Sequence, residues 1–275
     1  MEKVPFSVAM CVYGGDKPEW FDTAIESIVN QTLPPDEIVI VVDGPVPEGI
    51  EQVLSKYEND NKFKIVRLKE CQGHGNARRE SLKNCSNQIV ALMDADDISL
   101  PNRFEQQISY FEEDEDLSIV GGDITEFCGE PENIVGKRIV PQKDSEIKDY
   151  LKYRCPMNQM TVMLKKTDAE SAGGYIDWYC DEDYYLWIRM ALKKMEFANT
   201  GTVLVNVRVG KDMYNRRGGI KYFKSEAKLQ KYMLDNKIIG WLTYISNVCK
   251  RLIVQVLLPN RLRGWVFKKF AREKQ

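Results

Sequence analysis

Residues 88–97 read QIVALMDADD: an unbroken apolar run that ends in three aspartates within four positions. An apolar run without polar alternation is what a strand buried on both faces of a parallel sheet requires. The same form recurs at FSVAMCVY (6–13) and EIVIVVD (37–43), with a weaker copy at FKIVRL (63–68). Between the first two lies PEWFDTAIESIVNQT, in which Phe21, Ile25, Ile28 and Val29 fall at i, i+4, i+7 and i+8 behind Pro18, the pattern of an amphipathic helix. GHGNARRESLKNC reads as a second, glycine-entered helix before residue 88. The order β-α-β-α-β-α-β predicts a doubly wound α/β domain with right-handed crossovers. Ligands of such sheets bind at the carboxyl edge, where Asp94, Asp96 and Asp97 would stand.

If the strand continues to Asp96, Asp94 and Asp96 point to the same side, because side chains alternate with a period of two. Carboxylates so close repel one another unless a cation lies between them. Oxygen ligands of this kind suit Mg²⁺ or Mn²⁺, which complete their shells with substrate phosphates. Taken alone the motif is weak, since aspartate is also a favoured helix cap. Asp43 ends the second strand and can accept a hydrogen bond from a base or ribose, although Asp-Gly-Pro is equally strong turn chemistry. Arg78 or Arg79 can meet an anion at the glycine-entered helix, or can be solvated surface arginines. In CDEDYYLW (180–187), Asp181, Glu182 and Asp183 begin a helix. They either favour its macrodipole or present a carboxylate beside aromatic rings with its pKa raised toward general-base use.

After Asp97 the alternation lapses. PNRFEQQISYFEEDE predicts a helix from Pro101, LSIVGGD a short strand ending at its glycine pair, and ENIVGKRIV (132–140) an edge strand. MTVMLKK (160–166) and TVLVNVRV (202–209) predict further strands, with a strong helix over 180–194 between them, so the second half is α+β in character. One catalytic domain over residues 1–215 and a helical, basic segment over 216–275 is the expected division.

The chain has 275 residues and a net charge of −2, which removes whole-chain nucleic-acid binding as a reading. Seven scattered cysteines with no C-x-x-C spacing argue against a disulfide framework or zinc cluster and fit a reducing cytosol. A single histidine, His74, excludes most Ser-His-Asp, Cys-His and His-rich metal chemistry. The N-terminus lacks a signal peptide's long apolar region and reads as a first strand. Charge is nevertheless uneven: Val248–Gln275 holds eight Lys/Arg against one acidic residue, pooling +7 there and leaving −9 elsewhere. Within IIGWLTYISNVCKRLIVQVLLP (238–259), helical spacing sets Trp241, Leu242, Ile245, Val248, Leu252 and Val256 on one side. Thr243, Asn247, Lys250, Arg251 and Gln255 fall on the other. Lys250 and Arg251 near its middle argue against a spanning helix and for one lying in the membrane interface, the plain alternative being a helix packed on the domain.

In chain order SVAMCVY, the helix ending SIVNQT, EIVIVVDG, NARR (76–79), DADD, AGGY (172–175) and EDYYLW resemble family 2 glycosyltransferases of the GT-A fold, a Rossmann-like nucleotide-diphospho-sugar transferase fold, across about residues 5–210. DADDISLPNRF (94–104), N-x-M-T-V-M (158–163) and the basic helical C-terminus are similar to enzymes assembling bacterial O-antigen, capsule and exopolysaccharide, including the amylovoran-type branch. The resemblance implies a UDP-sugar donor and a β-linkage formed by inversion. Asp43 and Arg78 would hold the base and ribose region, and Val12 and Tyr13 would line the base pocket. Asp94 would lie near ribose and sugar, Asp96 would ligate Mn²⁺ or Mg²⁺, and Asp97 and Glu182 would meet the donor sugar. Asp183 would act as the base, and Arg216 and Arg217 would reach the diphosphate.

It further implies a polyprenyl-diphosphate-linked acceptor and a protein peripheral on the inner, cytoplasmic face of the cell membrane. Two departures stand out. Relatives often supply a downstream histidine to the metal, and none follows His74; Asn158-Gln159 replaces a frequent Asn-His pair. The competing readings are a non-catalytic nucleotide-sugar-binding membrane subunit and a sugar-nucleotide pyrophosphorylase. The latter needs a glycine-rich phosphate loop, for which only Gly14-Gly15 is available.

Overall fold

The computed structural model describes residues 4–210 and 218–259. The first half follows the expected alternation: β1 (Phe6–Tyr13), α1 (Pro18–Val29), β2 (Glu37–Asp43), α2 (Glu48–Ser55), β3 (Phe63–Arg67), α3 (His74–Asn84) and β4 (Ile89–Met93). These strands run parallel in the order β3-β2-β1-β4. The order reverses between β1 and β4, so a crevice opens at their carboxyl ends.

The second half extends the same sheet. β5 (Ile98–Ser99), α4 (Arg103–Glu113), β6 (Leu117–Phe127), β7 (Ile134–Arg138), α5 (Asp144–Leu151), β8 (Met163–Lys165), α6 (Lys166–Ser171), α7 (Glu182–Leu192) and β9 (Glu196–Arg208) follow in the chain. β8 pairs antiparallel with β4 and β6, β9 runs parallel to β6, and β5 and β7 pair antiparallel with β9 and β6. Two helices close the described chain, α8 (Ile220–Asp235) and α9 (Trp241–Leu252), the latter running into a π-turn at Ile253–Leu257.

Alternate side chains of β1 supply the two faces of the sheet. Phe6, Val8, Met10 and Val12 pack with Phe21 and Ile25 of α1, Ile50 of α2, and Phe104 and Ile108 of α4. Ala9 joins Leu82 of α3, Ile147 of α5, Leu186 and Trp187 of α7, and Leu229 and Met233 of α8. A sheet coated by helices on both sides needs strands apolar at every position, which is why 6–13, 37–43 and 88–94 read as they do.

Four boundaries differ from expectation. β6 does not stop at Gly121-Gly122 but runs to Phe127. A Cβ on Gly121 would meet Asn199 Oδ1 at 2.6 Å and one on Gly122 would meet Leu204 Cδ1 at 2.6 Å, so these glycines permit close side-chain approach inside the sheet instead of ending the strand. Residues 159–161 form a 3₁₀ turn ahead of β8, and β9 starts at Glu196, earlier than the sequence indicates. The helix expected over 238–259 starts at Trp241. Among the described residues no helix is long and apolar enough to cross a membrane.

A buried polar clamp, invisible in the hydrophobic pattern, fixes the strand that carries the aspartates. Arg103 and Gln107 are inaccessible to solvent. Arg103 donates to the Leu92 carbonyl (2.8 Å) and to Gln107 Oε1 (2.9 Å), and Gln107 donates to the carbonyls of Thr161 (2.8 Å) and Val120 (3.0 Å). Burial pushes the Arg103 pKa down to about 9, which still leaves it charged at neutral pH. Arg103→Met keeps most of the volume but strips every donor. It is expected to cost about 2–5 kcal/mol of unfolding free energy, read as a lower urea midpoint at unchanged slope. A midpoint equal to wild type would show that these carbonyls find other partners.

Candidate active site

Where β1 and β4 diverge, a cleft of about 370 Å³ opens at the carboxyl edge, walled by residues from β1, α3, the 94–97 segment, the 159–160 turn and the end of β9. Val12, Tyr13, Asp43, Arg78, Asp94, Asp96 and Asp97 all line it. Seven side chains singled out in the sequence, drawn from four separate segments, therefore share one cavity.

The chain leaves β1 through a tight turn in which Tyr13 N donates to Asp16 Oδ2 at 3.0 Å. The Tyr13 ring lies over Gly15, whose absent Cβ leaves room for it, and sits 6.1 Å from the His74 ring across the cleft. Asp43, buried at the end of β2, accepts the N–H groups of Gln72 (2.7 Å) and Gly73 (3.0 Å) and the Cys71 thiol (3.3 Å). Gly44 holds φ at +83°, and a Cβ there would strike Cys71 N at 2.6 Å, so only glycine lets the 43–44 turn close on this loop. Asp43 thus shapes the entry to α3 as well as facing the cleft. An ionised carboxylate has lone pairs left for a ligand.

Arg78 lines the cleft and also has partners within the protein that the sequence reading did not anticipate. Its guanidinium is engaged inside the protein, donating to Asp94 Oδ1 at 2.9 Å and to Glu182 Oε1. Burial alone would lower its pKa, but the adjacent Asp94 and Glu182 charges raise it, so it is a permanent cation. Glu182 and Asp183 do not line the cleft; Arg78 ties the start of α7 to its edge.

The aspartate segment also departs from a simple strand. β4 stops at Met93, and Asp94–Asp97 form a turn, so no strand alternation sets Asp94 and Asp96 side by side. A main-chain turn satisfied from β9 orders them instead. Arg208 N donates to Asp97 Oδ1 (2.9 Å) and Arg208 Nε to the Asp96 carbonyl (3.2 Å), while the guanidinium packs against Trp20 and Phe127 at 4.7 and 4.6 Å. Asp97 is buried, and burial together with the Asp96 and Asp94 charges raises its pKa well above the usual carboxylate range. Asp16, at the opposite wall, is pushed up to about 6, chiefly by burial with a contribution from Asp94. Negative charge is concentrated here beyond what Arg78 and Arg208 spread through the site, which is chemistry that fits a hard divalent cation. Among the described residues no group of three His, Cys, Asp or Glu side chains could hold a metal unaided. An ion here would be shared between Asp96 and oxygens of a bound diphosphate, in keeping with the incomplete protein cages typical of Mg²⁺.

Asp183, at the first turn of α7, accepts its neighbour's Tyr184 N–H at 2.6 Å. Burial and the Glu182 charge raise its pKa to about 6, against the lowering pull of Arg78 and Arg138. It is therefore ionised at neutral pH yet basic enough to take a proton. The AGGY segment (172–175) supports this helix. Gly173 and Gly174 have φ of +93° and +60°, and the carbonyls of Ala172 and Gly174 accept from Arg189 at 2.7 and 2.6 Å. Tyr175 OH accepts from Gln159 at 2.8 Å, joining α7's support to the turn that lines the cleft.

Asp16, Cys71, His74 and Arg208 also face the cavity and escaped the sequence reading. Asp16 carried a signal, a Gly-Gly-Asp turn directly after a buried strand. Arg208 carried none, since one arginine in a strand has no local signature. Arg216 and Arg217 lie outside the described residues.

Comparison with known proteins agrees with this geometry. Residues 7–171 match the sequence model of glycosyl transferase family 2. The amylovoran biosynthesis glycosyltransferase AmsE of Erwinia amylovora is 36% identical over 96% of this chain and 98% of its own. The UDP-Gal:alpha-D-GlcNAc-diphosphoundecaprenol beta-1,3-galactosyltransferase of Escherichia coli is 35% identical over 97% of this chain and 96% of its own. Among solved structures, the mannosyltransferase PcManGT of Pyrobaculum calidifontis, in complex with GDP-Man and Mn²⁺, superposes with a TM-score of 0.61 at 15% identity over 94% of this chain and 71% of its own, a likeness of fold. A parallel sheet with its aspartates at the switch point, a family match over residues 7–171 and relatives similar along nearly their whole length converge: the chain belongs to glycosyl transferase family 2 and has the GT-A fold.

Proposed function

We propose that this protein moves a hexose, glucose or galactose, from a UDP-sugar to a saccharide carried on a polyprenyl diphosphate. The reaction inverts the anomeric centre to leave a β-linkage, and it takes place at the inner face of the cytoplasmic membrane during assembly of a bacterial surface polysaccharide. The near full-length similarity to a galactosyltransferase named for a diphosphoundecaprenol acceptor is the observation that carries this reading. The cleft geometry is compatible with it.

In this scheme the uracil and ribose lie between Tyr13, Val12 and the Asp43-held loop, with His74 opposite Tyr13. Asp96 holds the Mn²⁺ or Mg²⁺, and Asp94 and Asp97 face the ribose and donor sugar. When bound, the divalent ion neutralises the diphosphate and eases its departure. Asp183 takes the proton of the attacking acceptor hydroxyl. Arg78 meets the base and ribose region of the donor, holds Glu182 and Asp94 in register, and places the base-bearing helix against the donor cleft. Arg208 orders the 96–97 turn without being consumed by the reaction. Glu182 acts on the donor sugar only through Arg78. Arg216 and Arg217 remain assigned to the diphosphate.

Three outcomes check this scheme. Release of the nucleoside diphosphate from a panel of UDP-, GDP- and dTDP-sugars should single out one UDP-hexose, be abolished by EDTA, and be lost in Asp96→Ala. Release that is indifferent to EDTA and to the substitution would remove the metal role. Asp183→Asn should retain UDP affinity by calorimetry while kcat falls about 10²–10⁴-fold; unchanged turnover would disqualify Asp183 as the base. Because the base must be deprotonated and its pKa is raised to about 6, the wild-type rate should be flat above that value. It should fall about tenfold per pH unit below it, and a rate that rises on acidification would assign the proton transfer elsewhere.

A further inference from the structure

The last described helix is mounted with its polarity reversed. A helix packed on a soluble domain turns its apolar stripe inward and its polar stripe to water. The fully buried residues of α9 and the π-turn are polar: Asn247 of the helix and Gln255 of the turn are 3% and 4% exposed. Outward stand Trp241, Leu242, Ile245 and Leu252, continued by Ile253 and Leu257 of the π-turn. Leu242 is 87% exposed, Leu257 66% and Trp241 65%. Helical spacing places Trp241, Leu242, Ile245 and Leu252 on one stripe opposite Asn247, and exposed Lys250 flanks it. A contiguous row of large apolar side chains of this kind marks an interaction surface.

The inner face is fastened by specific bonds. Asn247 donates to the Lys152 carbonyl (2.9 Å) and to Gln230 Oε1 (2.8 Å), Arg251 to Glu226 Oε2 (2.9 Å) and to the Tyr153 carbonyl (2.9 Å), and Gln255 to Glu226. Beside Glu226, Ser225 donates to the Tyr179 carbonyl at 2.6 Å, four residues before Asp183. Rolling the helix to hide its apolar row would lay that row over Glu226, Gln230 and the Lys152 carbonyl and strip them of these partners, at a cost that holds the row outward. The orientation is therefore built in, and it is tied to the segment leading into the base-bearing helix.

We infer that the outward face of α9 and the π-turn docks in the headgroup region of an anionic phospholipid leaflet, fixing the catalytic domain on that surface. The inference deepens the proposed function, resting on its lipid-linked acceptor, and names the residues that meet the membrane. Charge separates a leaflet from the other occupant such a face admits, a second copy of this chain. The +7 of Val248–Gln275 lies in and directly after this helix, whereas the rest of the chain carries −9. An anionic surface attracts the first and repels the second, turning α9 toward the lipid. Two copies meeting through the same face would bring two such cationic segments together. Tryptophan at the helix start, aliphatic residues on the outer face and lysine at its flank are the composition of an in-plane interfacial helix.

The test is flotation of the full-length protein with phosphatidylglycerol/phosphatidylethanolamine vesicles and with pure phosphatidylcholine vesicles. It compares wild type with Leu242→Glu/Ile245→Glu, whose sites are exposed and lie apart from the cleft. Wild type is expected to float with the anionic vesicles and weakly with phosphatidylcholine. The double variant should lose about tenfold or more of its partitioning while binding UDP and melting like wild type. Equal flotation of both proteins, or none by wild type, overturns the inference. So does a wild-type dimer in sedimentation velocity that the double variant dissolves, since the face would then belong to a second copy. Donor turnover on the same preparations is scored separately: a protein silent toward every sugar nucleotide that still floats through this face upholds the surface and counts against the proposed reaction.

Discussion

The site depends on one buried cation. Arg78 stands between Asp94, which directly follows the fourth strand, and Glu182, which begins the seventh helix, and those carboxylates come from halves of the chain that sequence separates by 88 positions. With Arg78 in place, each negative charge has a partner at bonding distance. Without it, two partly buried carboxylates would face each other and Asp183, and the first turn of α7 would be driven from the cleft. A guanidinium suits the task because its fork offers parallel donors in fixed directions and stays protonated where an ammonium would readily yield its charge. The acidic motif and the carboxylates that begin α7 are joined by this bridge.

Around that bridge, the carboxylates of the cleft and of the α7 start are held by main chain as much as by side chains. Asp43 is gripped by the Gln72 and Gly73 amides, Asp97 by the Arg208 amide, and Asp183 by the Tyr184 amide. Behind them Arg103 and Gln107 secure the carbonyls of Leu92, Thr161 and Val120. Carboxylates held this way cannot swing together to relieve their repulsion. The raised pKa values of Asp16, Asp97 and Asp183 follow from that enforced crowding and burial. Crowded carboxylates of this kind favour a cation beside them.

The C-terminal helices obey the same accounting of polar groups with a different result. In the body of the domain the helices turn apolar residues toward the sheet, and its two faces are covered. By the time α9 is added, the surface available to it is polar: Glu226, Gln230 and the carbonyls of Lys152 and Tyr153. The helix answers with Asn247, Arg251 and Gln255. Hydrogen bonding to that surface outweighs burial of the apolar row, which is left facing outward.

The parallel half of the fold was legible in the chain because each of its strands is covered on both faces, and double burial writes itself into consecutive apolar residues. For the same reason the carboxyl-edge positions Asp43 and Asp94 could be picked out, along with the α7 carboxylates, whose acidic start and aromatic stripe are local, whereas Tyr13 followed from the family resemblance alone. The course of β6 through Gly121-Gly122 was not legible, since a glycine pair signals a turn unless the neighbour that needs the space is known. Nor were Arg208 and Arg103, whose parts rest on carbonyls and carboxylates brought to them by other strands. Arg78 was marked by its position, but its bridge between Asp94 and Glu182 was not legible, because those two partners lie far apart along the chain. The sequence by itself thus determined the parallel core and the pool of acidic groups, through patterns whose period matches local geometry. Only the tertiary structure decided which charges meet, which helix face turns outward and which carboxylates are raised, because each of those depends on distances between segments that no local pattern encodes.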